Sequence, residues 1–212
     1  MKKYWWLSIP AYSIFFIALN IFFLSIDASV SFWFSDKFFS FFMAPLILFI
    51  FTLFDFSNNI YVCVREKSRL IIIVKTILVQ LMLSIIFAAF FFFNAIIVVL
   101  RPIQNIAEGL PLVFEWTVKY MLGSALTSVL LNLLVVIADE KTRSHAPYLL
   151  YVYMVFELSI LTPKSAMLSG TEVRIMFSWL FSNHAFGILI AFLWALFSLV
   201  CLLFLGNRKD II

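Results

Sequence analysis

Glycine is scarce: 5 residues in a chain of 212. That leaves little material for the loops that cradle phosphate, and no G-x-x-x-x-G-K-S/T segment is present. Charge is equally thin, at 12% of residues, where soluble domains carry about 25%. The two cysteines, Cys63 and Cys201, are expected at the cytosolic face and inside a membrane span, which argues against a disulfide framework. There is no C-x-x-C and no H-E-x-x-H. The two histidines, His145 and His184, are expected on opposite faces of the membrane and so cannot share a metal ion. No Ser-His-Asp set can be assembled. An enzyme lacks its residues here, and no cofactor is expected in this chain.

What the chain has is apolar surface. It is 65% apolar and 19% aromatic, with 27 Phe, and its mean hydropathy is +1.10. This composition is that of an integral membrane protein made of one domain, residues 1–212. The net charge of +4 does not point to nucleic acid, because the basic residues sit in the loops, where the bilayer explains them. The opening "MKKYWWLSIPAYSIFF" starts like a signal peptide. Its apolar run is too long for a cleaved one, against roughly 7–15 residues, and no small-x-small site follows. It reads as a first span.

The fold class expected is all-α, with six spans at about 4–24, 38–56, 70–100, 114–137, 147–161 and 184–205. Each is measured against the roughly 20 residues needed to cross hydrocarbon. With the N-terminus placed in the cytosol, Lys2, Lys3, Arg65, Lys67, Arg69, Lys75, Lys141, Arg143, Arg208 and Lys209 fall inside. Lys37, Arg101, Lys119, Lys164 and Arg174 fall outside or near the outer face. That bias favours cytosolic termini. In the outer connection 162–183, Val173, Met176, Phe177 and Leu180 share one helical face and Thr171 can cap it. A helix lying in the outer interface, or re-entering the bilayer, is expected there. Tyr4, Trp5, Trp6, Trp33, Trp116, Tyr120 and Trp179 are expected to form aromatic belts at the interfaces.

Between the second and third spans runs "YVCVREKSRLIIIVK". Arg65, Glu66 and Arg69 share one arc of a helical wheel, and Cys63, Val64, Leu70 and Ile71 occupy the other side. This is a short amphipathic helix at the cytosolic surface. It reads either as a positive-inside anchor on anionic headgroups or as a docking helix for a cytosolic protein. A span ending in "FDFSNNI", then "VCVREKSR", then "LIIIVKTI" opening a long span, resembles the ABC-2 type transporter permease family. It resembles in particular the small peptide- and bacteriocin-export permeases of Gram-positive bacteria. The Arg–x–x–Ser–Arg pattern that carries the resemblance is Arg65, Ser68 and Arg69. The resemblance implies six spans and cytosolic termini in a bacterial plasma membrane, with short helices between the fifth and sixth spans. It also implies a second permease subunit, identical or related, and a separate ATPase subunit that holds ATP and Mg. Arg65, Glu66, Lys67, Ser68 and Arg69 would then form the coupling helix.

Polar residues inside spans are costly in lipid and turn toward protein or water. Gln80 and Asn94 lie roughly on one face of the third span, with Ser84 and Phe87 continuing that stripe. Ser124, Thr127, Ser128 and Asn132 recur at helical spacing in the fourth. They read as interhelical hydrogen-bonding groups or as the lining of a substrate path. Glu157, in the outer half of the fifth span, needs a partner, and Lys119 in the outer half of the fourth is the expected ion pair, with a substrate-contacting place on the same intramembrane path as the alternative for both. The leading expectation is a permease subunit exporting a hydrophobic or amphipathic peptide or lipid-like molecule. A six-span substrate-binding subunit of a vitamin importer, or a stand-alone membrane immunity or scaffold protein, is the alternative.

Overall fold

The computed structural model describes residues 34–53, 69–100, 106–138, 142–161, 163, 174–182 and 186–208. The first expected span, 4–24, and the elbow up to Ser68 lie outside these residues. So do Thr171 and His184.

Ser35 starts α1, Asp36–Leu53, by accepting a hydrogen bond on Oγ from the Phe38 N–H at 3.2 Å. Asp36 in the first turn suits the positive end of the helix dipole. Residues Phe39–Met43 widen into a π-helical turn just before Pro45, which has no N–H to donate and whose ring crowds the preceding turn. α2, Arg69–Leu100, and α3, Ile106–Ile137, are the two long helices. Each runs about 48 Å at a rise of about 1.5 Å per residue, against a hydrocarbon core of about 30 Å, so each tilts or projects. A 3-10 turn, Arg143–His145, leads into α4, Ala146–Val155, which carries Pro at its first turn and ends in a π-helical stretch, Phe156–Leu161. α5 is one turn, Phe177–Leu180, and α6 is Gly187–Arg208.

All described elements are helical. Among the described residues, four segments are long and apolar enough to cross a membrane: Asp36–Leu53, Leu70–Ile96, Gly109–Ile137 and Gly187–Leu205. The chain is a multi-pass membrane protein. α4 with its π-helical extension spans only about 24 Å, shorter than the core. α3 starts ahead of the expected residue 114 because Pro111, read as part of a loop, is held within the early turns of the helix.

α2 and α3 pack along each other, α6 lies on α3, and α1 lies against α3 and α4. The outward faces carry Phe49, Met82, Phe93, Phe114, Val152, Phe197 and Val200, each well exposed, as lipid contact requires. The core is aromatic at one end. Phe38 and Phe39 from α1, Phe91 from α2, Tyr120 from α3 and Phe177 from α5 are all fully buried or nearly so. Phe91 meets Tyr120 edge-on at 4.5 Å between centroids, and Phe39 meets Phe181 at 4.8 Å. Gly123 makes room for this cluster: a Cβ there would stand 2.9 Å from Phe39 Cζ.

Two sequence expectations change here. Trp116 and Tyr120 are not belt residues. They are 8% and 1% exposed, because the Tyr120 hydroxyl finds an acceptor, the Ser35 carbonyl at 3.0 Å, inside the protein. The helix expected across 171–183 is, among the described residues, the single turn α5. Phe177 and Leu180 do share one face, but that face is buried in the bundle, against Phe39 and Gly123, rather than laid on the interface.

Candidate functional site

Helical spacing decides which polar side chains can meet. Thr76, Gln80 and Ser84 fall on one face of α2, and Ser124, Thr127, Ser128 and Asn132 on one face of α3. All seven are buried; Gln80, Ser128 and Asn132 meet between the two long helices, while Thr127 Oγ1 also reaches Met154 Sδ of α4 at 3.7 Å. The hydroxyls of Thr76, Ser84, Ser124 and Thr127 each donate to a carbonyl three or four residues earlier, which satisfies them within their own helix. Gln80 works between helices. Its Oε1 accepts from Ser128 Oγ at 2.7 Å and from Asn132 Nδ2 at 2.6 Å. Its Nε2 donates to the Phe51 carbonyl of α1 at 3.2 Å. Asn132 Nδ2 also donates to the Ser128 carbonyl at 2.8 Å. One amide thus joins α1, α2 and α3. Asn94 is not brought to this cluster; it is half-buried, and its Nδ2 donates to the Phe90 carbonyl at 2.8 Å.

The second polar group surrounds α5. Glu157 is fully buried on the π-helical end of α4. Its Oε1 accepts from both the Ser178 N–H and Ser178 Oγ, each at 2.8 Å. Ser178 Oγ in turn accepts from the Ile175 N–H at 2.8 Å. Met176, at the N-cap, offers no side-chain acceptor, so the carboxylate does the capping from another helix.

The expected ion pair between Glu157 and Lys119 is not formed. Lys119 Nζ pairs with Glu115 at 2.7 Å, one turn away on α3. It also lies 4.7 Å from the Trp116 ring centre and reaches the Ser182 carbonyl at 3.4 Å. A partner four residues back on the same helix is delivered by helical geometry alone. Glu157 instead meets a backbone N–H and a hydroxyl that the chain returns to it twenty-one residues later. Lys119 is 2% exposed and Glu115 50%, so the pair leads from the protein interior to its surface.

Of the residues expected to form an intramembrane path, the fold gathers Gln80 with Asn132. It places Lys119 and Glu157 at opposite ends of α5. Arg65, Glu66, Lys67 and Ser68 lie outside the described residues, and Arg69 is the first residue of α2. Ser178, Ser182 and Glu115 were not anticipated. Only Glu115 carried a signal, its i, i+4 spacing to Lys119. Compared with protein-family models, with curated proteins and with solved structures, the chain has no match.

Proposed function

We propose that this chain is the membrane-spanning permease subunit of an ABC transporter. It exports a hydrophobic or amphipathic peptide or lipid-like molecule from a bacterial cell and couples to a separate ATP-binding subunit. The observation that supports this reading is the continuity of α2. In sequence, Arg65 and Ser68 directly precede Arg69, the first residue of a helix unbroken to Leu100. About 16 Å along that helix, Gln80 bonds it to α1 and α3. A push on the elbow would therefore move three helices together rather than bend one. The polar stripe on α2 and α3 offers groups that a moving amphipathic cargo could meet when those helices part.

The mechanism follows. ATP draws two nucleotide-binding subunits together, the elbow takes up the displacement, and α2 carries it outward. The test is to purify the chain from its native membrane in mild detergent and identify what accompanies it, comparing wild type with Arg65→Glu/Arg69→Glu. A stoichiometric Walker-motif ATPase lost in the charge-reversed variant is the expected result. Absence of any ATPase from the wild type after crosslinking would sink the proposal.

A further inference from the structure

Arg143 opens the 3-10 turn, Arg143–His145, that feeds α4. The side chain is half-buried, and its Nε–H is shut from solvent and meets no acceptor. The ion pair formed among the described residues, Lys119 with Glu115, does not involve it. A guanidinium carries five N–H donors and keeps its charge at every physiological pH. A buried donor left without an acceptor is costly. The turn itself closes without the side chain: the His145 N–H donates to the Thr142 carbonyl at 2.9 Å, and the Ala146 N–H to the Arg143 carbonyl. The guanidinium is therefore not needed to build the turn.

The turn stands at the end of the bundle where α3 stops at Ile137 and where Ile73 of α2, Val136 of α3 and Leu202 of α6 pack together. α4 begins there and lies against α1 and α3. Its other side is open: Tyr148, Leu149, Val152 and Phe156 are all well exposed. Tyr148, Val152 and Phe156 recur every four residues, so they form one stripe. The stripe starts five residues after Arg143 and runs about 12 Å, at about 1.5 Å per residue. One leaflet of hydrocarbon is about 15 Å deep, half of a core of about 30 Å. An unpaired cation thus stands at the head of an apolar track about as long as one leaflet is deep. Tyr148, at the start of the track, brings a phenol, which suits the level between headgroups and hydrocarbon. The described part of the connection, 142–145, holds Arg143 and His145 and no carboxylate. His145 gives α4 no side-chain cap, so the positive end of that helix adds to the same field.

We propose that Arg143 and the outward stripe of α4 form a binding site for one anionic phospholipid. The guanidinium takes the lipid phosphate, and an acyl chain lies along Tyr148, Val152 and Phe156. To reach the phosphate the side chain turns outward, which frees Nε–H and one Nη–H to bond two phosphate oxygens side by side. A headgroup of net negative charge is favoured, since a choline ammonium would stand beside a cation. An acidic protein segment would match the arginine but not the stripe, which lies at hydrocarbon depth. The site stands on its own geometry and does not depend on an ATPase partner.

The experiment titrates the full chain, purified in mild detergent, with phosphatidylglycerol or with phosphatidylcholine of the same acyl chains. Bound lipid is counted by native mass spectrometry. The parent should hold one phosphatidylglycerol about fivefold more tightly than phosphatidylcholine. Arg143→Gln should weaken phosphatidylglycerol by about the same factor and leave phosphatidylcholine unchanged. Equal binding of the two lipids by the parent, or parental phosphatidylglycerol binding in Arg143→Gln, would overturn the site. Glycerophosphoglycerol, the headgroup without its chains, should not displace the lipid at equal concentration; displacement would make this a free-phosphate site and overturn the apolar track. A co-purified acidic protein lost in Arg143→Gln, with lipid binding intact, would assign the arginine to that protein and overturn the proposal as well. Arg143→Lys keeps the charge and loses the fork, and it carries the test should Arg143→Gln not fold. Weaker phosphatidylglycerol binding than the parent's supports the site, and parental binding overturns the side-on contact.

Discussion

Replacing Gln80 with Leu keeps most of the side-chain volume and deletes every interhelical hydrogen bond it makes. Those bonds run to Ser128, to Asn132 and to the Phe51 carbonyl. Interhelical polar contacts in membranes average about 0.6 kcal/mol and reach about 1.7. Three of them give about 2 kcal/mol as the central expectation and about 5 as the ceiling. The loss concentrates on Asn132, whose Nδ2 keeps only the Ser128 carbonyl, and on Ser128. Unfolding in mixed micelles of mild detergent and SDS, followed by circular dichroism, measures it. The variant should lose about 2 kcal/mol, and Gln80→Leu with Asn132→Leu should lose less than the sum, with a coupling of at least about 0.5 kcal/mol. Strict additivity, or a variant as stable as the parent, would refute the idea that this amide joins the three helices. Because Gln80 also bonds α1, Phe51 reports separately: amide exchange at the C-terminal end of α1 should rise in the variant.

Gly123→Ala should cost about 1–3 kcal/mol, because its Cβ would meet a Phe39 ring fixed among other aromatics; adding Phe39→Leu should recover part of that in the same assay. Gly187→Ala should be worse, since its Cβ would run into the backbone carbonyl of Trp179, with Ser182 Oγ 2.7 Å away; a sharp fall in the monodisperse fraction on gel filtration is expected. Tyr120→Phe removes the hydroxyl's bond to the Ser35 carbonyl and should cost about 1 kcal/mol, with the near-ultraviolet dichroism of the aromatic cluster retained. Lys119→Met should lower stability in the SDS titration while Glu115→Gln changes it little, because the lysine is buried and its partner half in solvent.

Composition and period determined a great deal. Long apolar runs exclude a soluble fold, and the positions of α2, α3 and α6 follow from them because a span must be roughly 20 residues long. The recurrence of Ser124, Thr127, Ser128 and Asn132 at three and four already turns them to one side, since a helix repeats every 3.6 residues or so. What such patterns lack is distance in space between residues far apart in the chain. Nothing in the local sequence says that Glu157 meets Ser178 rather than Lys119, because that contact requires α4 to widen at its end and the chain to return beneath it. Nor does it say that Tyr120 is interior, since an aromatic ring with one polar atom suits an interface and a core equally until the Ser35 carbonyl is supplied. The sequence by itself determined which residues leave water for lipid, and which side of each helix is polar. Only the tertiary structure decided which polar groups satisfy one another, because a buried donor takes whichever acceptor the packing of other helices brings within about 3 Å.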